Sequence, residues 1–129
     1  MVANAVNMAG HVIIEDNVGI GGMCAIHQFV HIGAHCFISG LSAITKDVPP
    51  YILAMGDPLT YGGLNSVGLS RRGFSAEVLS ILKKAYKMLY RQKLTKDQAI
   101  QKMEQELELI PELNHLIDFL KGSERGIIR

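Results

Sequence analysis

The sequence predicts a parallel β-solenoid of about three coils followed by α-helices, because two different spacings of apolar residues divide the chain. Through the first third, an aliphatic residue returns at every sixth position: Val2, Met8, Ile14, Ile20, Ile26, Ile32, Ile38 and Ile44. A second series of mostly small or β-branched residues lies four positions after each of these: Val6, Val12, Val18, Cys24, Val30, Cys36, Ser42 and Val48. A strict period of six is neither helical nor alternating, and it is typical of a solenoid whose coils cover one another.

Turn-forming residues separate the predicted solenoid, residues 1–50, from a helical domain at residues 75–129. The pair Pro49-Pro50 cannot donate hydrogen bonds to a strand ladder, so we expect the repeat to end there. The segment Gly56-Asp57-Pro58 then predicts a tight turn within a connector over residues 51–74.

Helix caps and helical spacing predict three helices after the connector. Ser75 is a typical N-cap, and apolar residues follow it at helical spacing: Val78, Leu82, Ala85 and Leu89. Thr95 and Gln98 form a capping box before a second helix, which Pro111 is expected to break. A third helix would end at Gly122.

Composition limits the class of protein. The 13 basic and 12 acidic side chains nearly cancel, which argues against a nucleic-acid-binding protein held by bulk charge. Cys24 and Cys36 occupy inward places of the repeat two hexads apart, so we expect buried free thiols, as in a reducing cytosol. No apolar run approaches the ~20 residues of a membrane span, and we expect a soluble, cytoplasmic protein without a transmembrane segment.

Four short motifs accompany the hexads and the helical tail. They are Met8-Ala9-Gly10-His11, Ile26-His27-Gln28-Phe29, Asp47-Val48-Pro49-Pro50-Tyr51 and Arg71-Arg72-Gly73-Phe74. In this order, and over the whole chain, they resemble the UDP-N-acetylglucosamine O-acyltransferases of lipid A biosynthesis, a branch of the hexapeptide-repeat acyltransferase superfamily. The resemblance implies a left-handed parallel β-helix with three hexads in each 18-residue coil. It also implies a homotrimer whose axis is parallel to the axes of the three β-helices. The left-handed connections between parallel strands are a known exception to the right-handed crossover rule.

The resemblance implies an acyltransferase reaction. A 3-hydroxyacyl chain would pass from the phosphopantetheine thioester of acyl carrier protein to the 3-hydroxyl group of UDP-N-acetylglucosamine, the first step of lipid A biosynthesis, with no further cofactor. In the family, the catalytic base is a histidine followed by an aspartate, upstream of the position that matches Met1. That pair is absent here, so the chain resembles the C-terminal half of the enzyme and is expected to be inactive alone.

The candidate site begins with His11 and His27. Ala9 is the residue that should lie one coil below His27, which places the two imidazoles about 8 Å apart. By the resemblance, these histidines contact the acyl donor and the sugar, and the backbone N–H of Gly10 stabilises the oxyanion. Gln28 matches a glutamine near the substrate, although it is equally consistent with an exposed turn residue.

Further candidates lie on both sides of the connector. Gly40 matches the position that limits acyl-chain length in the family, or it is a glycine that the coil requires. Arg71 and Arg72 directly precede a predicted helix, and the resemblance assigns them to the nucleotide diphosphate. Asn65 matches a residue near the uridine, a contact put in doubt by Val67, where some relatives carry glutamate. The first helix and the turn after it are basic, which suits acidic acyl carrier protein or is simply a solvated face: Lys83, Lys84, Lys87, Arg91, Lys93 and Lys96.

Other chemistries remain as alternatives. His27, His31 and His35 have a spacing that suggests a metal site, but they occupy hexad places that point in different directions, so we expect no metal. The related N-acyltransferase of lipid A synthesis shares the hexads but should lack Arg71-Arg72-Gly73-Phe74. The chain could also be a non-catalytic module that trimerises or binds carrier protein.

Overall fold

Short strands alternate with corners through the first third of the computed structural model, which describes residues 7–8 and 10–129. Seven two-residue strands recur every six residues in this described part: β1 (Asn7–Met8), β2 (Ile13–Ile14), β3 (Gly19–Ile20), β4 (Ala25–Ile26), β5 (His31–Ile32), β6 (Phe37–Ile38) and β7 (Ala43–Ile44). The first four of them, β1 to β4, pair in parallel with the strand eighteen residues further on, as Met8 does with Ile26 and Ile26 with Ile44. Three hexads therefore form one coil with three faces. The predicted repeat positions Val2, Val6 and Ala9 lie outside the described residues.

The predicted inward positions form the core of the coils. Isoleucines of the first series are almost completely buried: Ile20, Ile26, Ile32, Ile38 and Ile44. Residues of the second series are buried beside them: Val18, Cys24, Val30, Cys36 and Ser42. Burial of one such aliphatic side chain contributes about 1.5–3 kcal/mol, which explains why the six-residue period specifies the coil. Cys24 and Cys36 are free buried thiols, as predicted.

The corners share an uncommon backbone conformation. Six corners each have one residue with a positive φ angle between 56° and 68°, three positions after an aliphatic residue of the first series: His11, Asn17, Met23, Phe29, His35 and Leu41. This left-handed region costs an L-amino acid roughly 1–2 kcal/mol, and only glycine, asparagine and aspartate enter it readily. The chain accepts that cost because each corner must turn within very few residues.

The prediction that Pro49-Pro50 ends the repeat is wrong. Val48 pairs with Ile32, only sixteen positions earlier, so it takes the next place of the first series rather than the predicted place of the second. Beyond the prolines, β8 (Ile52–Met55) continues the parallel stacking on β6. The prolines are tolerated because they lie at a corner, outside the ladder, where Pro50 packs so closely on Gly33 that a Cβ atom there would overlap its backbone nitrogen.

Two further segments complete the coil unit. Strand β9 (Thr60–Leu64) pairs antiparallel with β8. Near the end of the chain, Ile127 forms a parallel bridge with Asp47, and the neighbouring Ile128 is buried. The chain therefore divides into unit 1, Met1–Asn65 with Ser123–Arg129, and unit 2, Ser66–Gly122. These limits differ from the predicted 1–50, 51–74 and 75–129, and that domain division stays a prediction.

Unit 2 contains four helices: α1 (Ser66–Arg71), α2 (Ala76–Tyr90), α3 (Lys96–Glu106) and α4 (Pro111–Gly122). The Ser75 cap and the capping box of Thr95 and Gln98 are confirmed. Pro111 does not break α3, which already ends at Glu106; it is the first residue of α4, where a missing N–H costs nothing. Among the described residues, no helix has the length and apolar content needed to cross a membrane.

Candidate functional site

Gly10 and His11 lie at the corner that precedes β2, and Gln28 and Phe29 occupy the same corner one coil further on. The backbone N–H of Phe29 donates to the carbonyl oxygen of His11 over 3.2 Å, which ties the two layers together. All four residues are exposed. The register of the coils thus collects Gly10, His11 and Gln28 at one open corner, as their spacing predicts.

His27 reaches the same corner from the end of β4. Its backbone N–H donates to the carbonyl oxygen of Ile44 over 2.9 Å, while its side chain is exposed. Met8 pairs with Ile26, the residue before His27, and Ala9, which the sequence predicts one coil below His27, lies outside the described residues. The four predicted residues therefore share one corner, and their roles in binding or catalysis stay predictions.

Phe29 is a member of this corner that the sequence did not predict as a site residue. Its ring stacks on the His11 imidazole with centroids 5.5 Å apart and planes 12° from parallel. The Phe29 side chain is nevertheless 63% exposed. The available signal was the spacing of eighteen residues, which places Phe29 directly above His11 in any coil of three hexads.

The glycines of unit 1 differ in what surrounds them. A Cβ atom added to Gly10 would meet no atom within 4 Å, so packing does not require glycine there. A Cβ atom on Gly40 would lie 2.8 Å from the carbonyl oxygen of Gly22, one coil below. Gly40 is thus needed by the coil, and its predicted influence on acyl-chain length stays a prediction.

Asn65 helps to hold a second corner, around His35 and Tyr51. Its side-chain Nδ2 donates to the carbonyl oxygen of His35 over 3.0 Å, and its backbone N–H donates to that of Tyr51 over 2.8 Å. The rings of His35 and Tyr51 stack with centroids 6.0 Å apart. Asn65 thus has a structural task, and its predicted contact with uridine stays a prediction.

The three histidines with metal-like spacing have separate environments. His31 Nε2 lies 2.7 Å from Glu15 Oε2. The other carboxylate oxygen of Glu15, Oε1, accepts a hydrogen bond from the backbone N–H of Ala34. His27 is exposed at the open corner, whereas His35 stacks on Tyr51. Within the described part of the chain, no group of three or more histidine, cysteine or acidic residues is arranged to hold a metal ion.

Cys36 is buried behind the corner of His35. Its Sγ donates to the carbonyl oxygen of Pro49 over 2.9 Å. Burial raises the pKa of this thiol to about 12, so it is protonated at neutral pH. Cys36 therefore belongs to the core and is no candidate nucleophile.

Arg71 and Arg72 lie in unit 2, at the end of a helix rather than directly before one. Arg71 is the last residue of α1, which the sequence did not predict, and α2 begins only at Ala76. Helix α1 closes there because Gly73 adopts φ 89° and the N–H of Phe74 donates to Leu69. Both arginine side chains are exposed. Their contact with a diphosphate stays a prediction.

The basic side chains of unit 2 lie mostly on its surface. Five of the six predicted residues are exposed and the sixth is partly exposed: Lys83, Lys84, Lys87, Arg91 and Lys93, with Lys96 partly exposed. Lys83, Lys84 and Lys87 lie on the outward side of α2, whose other side carries its buried residues Leu82, Ala85, Tyr86, Met88 and Leu89. This arrangement forms a compact positive surface on one helix.

Known proteins resemble this chain over most or all of its length. Residues 47–128 match the family described as UDP-N-acetylglucosamine O-acyltransferase, domain 2. Proteins named acyl-[acyl-carrier-protein]–UDP-N-acetylglucosamine O-acyltransferase are 43% identical over all of this chain in Anaeromyxobacter sp. (strain K), and 46% identical over 98% of it in Thiobacillus denitrificans. The chain covers 50% and 49% of these two proteins, respectively, and thus spans about half the length of the curated relatives it matches.

Solved structures show the same likeness. LpxA from Acinetobacter baumannii superposes with a TM-score of 0.95 at 44% identity, over 99% of this chain and 50% of that one. The UDP-N-acetylglucosamine O-acyltransferase of Moraxella catarrhalis superposes with a TM-score of 0.94 at 38% identity, with the same coverage. The fold of both units is therefore that of a known group of structures.

Proposed function

The chain belongs to the UDP-N-acetylglucosamine O-acyltransferase family, and we propose that it forms part of the substrate site of such an enzyme. The reaction moves a 3-hydroxyacyl chain from the thioester of acyl carrier protein to the 3-hydroxyl group of UDP-N-acetylglucosamine. We place this reaction in the cytoplasm, at the first step of lipid A biosynthesis. Buried free thiols at Cys24 and Cys36 suit a reducing compartment.

The observation that carries this proposal is the open corner of Gly10, His11, His27 and Gln28. Two imidazoles, an amide side chain and the backbone of an exposed glycine meet there on consecutive coils. When the sugar hydroxyl attacks the thioester carbonyl, negative charge develops on the carbonyl oxygen. A fixed N–H at Gly10 would stabilise that charge in the transition state, while the neighbouring side chains hold the substrates.

Acyl transfer also needs a base. The attacking hydroxyl must lose its proton as the new ester bond forms and the phosphopantetheine thiolate leaves, and a positioned base with an oxyanion donor suffices for this step. No histidine of this chain is followed by aspartate, the pair that the family uses. We therefore expect the isolated chain to bind UDP-N-acetylglucosamine without turning it over.

Assembly forms a second part of the proposal. We propose that the coils are left-handed, as in the family, and that three chains associate as a homotrimer. Met23 and Leu41 support association, because they share one corner on consecutive coils and are 64% and 75% exposed. Burial against a second chain would remove this apolar surface from water. Sedimentation of the chain as a monomer at high concentration would contradict the trimer.

The helices of unit 2 form the third part. We propose that Ser66–Gly122 constitute the family's helical domain and that the basic surface of α2 binds acyl carrier protein, which is acidic. Charge complementarity mainly raises the association rate and makes binding sensitive to salt. Replacing Lys83 and Lys87 by glutamate should weaken carrier binding at least tenfold, whereas Lys46→Glu in unit 1 serves as the matched control. Equal effects of both changes would contradict a docking surface on α2.

The open corner can be tested by titrating UDP-N-acetylglucosamine into the isotopically labelled chain and following its amide signals by NMR. We expect the largest changes at Gly10, His11, His27 and Gln28. His11→Ala and His27→Ala should each weaken binding at least tenfold, since each removes a polar contact to the ligand. His115→Ala, an exposed histidine on α4, is the control. Unchanged affinity in both corner variants would overturn the proposed site.

A further inference from the structure

We infer that Phe29 is a positioning residue for His11, a role that rests on the proposed function of the open corner. The ring of Phe29 lies flat against the His11 imidazole, with centroids 5.5 Å apart and planes 12° from parallel. This offset-stacked arrangement is one of the favoured geometries for two aromatic side chains. Phe29 would act through His11, without contacting the reacting atoms itself.

The backbone of both coils determines this stack. His11 and Phe29 each occupy the left-handed position of their corner, with φ of 56° and 68°. The hydrogen bond from the Phe29 N–H to the His11 carbonyl oxygen sets the spacing between the layers. With both backbones held in this way, the phenyl ring limits the rotamers that the imidazole can adopt.

Packing of the fold does not explain the phenylalanine. Phe29 is 63% exposed, and a positive φ disfavours a phenylalanine at this position. The second imidazole stack of unit 1 differs, because its aromatic partner Tyr51 is only 4% exposed and belongs to the core. An exposed ring that stacks on a candidate substrate-binding histidine is better explained by the histidine than by stability.

The stack should favour ligand binding because it already restricts the His11 side chain before the ligand binds. An exposed histidine loses side-chain freedom when it grips a ligand, and that loss weakens binding. A ring that already restricts His11 removes part of this cost before UDP-N-acetylglucosamine arrives. Loss of the ring should therefore weaken affinity by about two- to tenfold.

Four variants test the inference in the full chain. Phe29→Leu should remove the ring-current shift of the His11 imidazole protons and weaken UDP-N-acetylglucosamine binding by about two- to tenfold. Phe29→Tyr should restore both. Phe37→Leu, the same change at another exposed phenylalanine, should alter neither. In a His11→Ala background, Phe29→Leu should weaken binding no further, because its effect passes through the imidazole.

Several outcomes would overturn the role of Phe29. Affinity that is unchanged in Phe29→Leu, or reduced equally with and without His11, would do so, as would a changed sedimentation coefficient, which would assign the ring to subunit contact. The two proposals can fail separately. If the unsubstituted chain does not bind UDP-N-acetylglucosamine, the proposed substrate site fails, whereas the ring-current shift alone decides whether Phe29 holds His11.

Discussion

In the described part of unit 1, two corners stack an imidazole on an aromatic ring, but only one of them is closed. Around His35, the ring of Tyr51 is 4% exposed and Asn65 donates to the carbonyl oxygens of both residues. Around His11, the ring of Phe29 is 63% exposed and the adjoining His27 and Gln28 are exposed as well. The same pair of side-chain types therefore serves the fold at one corner and remains accessible to a ligand at the other. A stack that another segment of the chain covers becomes part of the fold, whereas a stack that is left uncovered stays accessible.

The largest expected effect is the difference in stability between variants that remove one or the other aromatic ring. Tyr51→Ala should lower the free energy of unfolding of unit 1 by about 3–5 kcal/mol, because it removes a buried ring. Phe29→Ala should lower it by less than about 1.5 kcal/mol, since that ring is exposed and contributes little beyond its stack. Urea unfolding followed on the amide signals of unit 1 measures both values, with Tyr51→Phe as the control. Equal losses at the two corners would contradict the comparison.

A second prediction concerns the C-terminal segment, which is hydrogen-bonded to the coils through Asp47. Asp47 is buried, and its carboxylate accepts from the backbone N–H of His31 over 2.8 Å and from Ser123 Oγ over 2.6 Å. Ser123→Ala should lower the free energy of unfolding by about 1.5–3 kcal/mol, because it removes a hydrogen bond to a charged group. Faster amide exchange at Ile128 would report the released segment. Glu124→Ala, an exposed neighbour, should change neither quantity.

A third prediction compares a glycine that the coil packing requires with the glycine of the open corner. A Cβ atom at Gly21 would overlap the backbone nitrogen of Gly40, whereas one at Gly10 would meet nothing within 4 Å. Gly21→Ala should therefore lower the free energy of unfolding by about 1–3 kcal/mol. Gly10→Ala should change it by no more than about 0.5 kcal/mol. A strong loss of stability at Gly10, measured by the urea midpoint, would mean that the open corner is packed after all.

The last prediction concerns Cys36, behind the closed corner, where the effect appears only at alkaline pH. Its folded pKa of about 12 lies above the ordinary value of 9.0, so between these values the folded state keeps a proton that the unfolded state has lost. The free energy of unfolding should fall as pH rises through this range, by at most about 1.4 kcal/mol per pH unit. Below pH 9 this contribution is fully present.

The variant Cys36→Ala isolates the effect. Lysine and tyrosine side chains also titrate in this range, but they contribute in the same way to both proteins. The difference between the two pH profiles therefore belongs to the thiol. Parallel profiles up to pH 12 would show that the thiol is accessible to solvent.

The hexad core was predictable because burial acts directly on each position of the repeat. The inward places of Ile26 and Cys36 follow from that pattern. The eighteen-residue coil, and with it the shared corner of His11 and His27, came from the resemblance to the family. The shorter coil that ends at Val48 was not predictable, because it depends on the close contact of Pro50 with Gly33 across two layers. Such a contact has no local signal in the sequence.

Other segments were missed for related reasons. The bridge between Ile127 and Asp47 joins residues eighty positions apart, which no spacing rule reaches. Helix α1 is too short to show a periodic apolar face, since Leu69 is its only buried residue. Phe29 was overlooked because an apolar ring beside a polar motif does not reveal, without the coil register, which side chain it touches.

The corner residues with positive φ angles also show where the coils are less stable than they could be. Asparagine fits this backbone conformation better than most residues, yet only Asn17 among the six corner positions uses it. The other five carry imidazoles, a phenyl ring or long aliphatic chains, each retained at roughly 1–2 kcal/mol of backbone cost. Asparagine substitutions at Met23 or Leu41 are therefore a route to a more heat-resistant coil. The side chains that such redesign would remove are the ones that the proposed trimer would bury between chains.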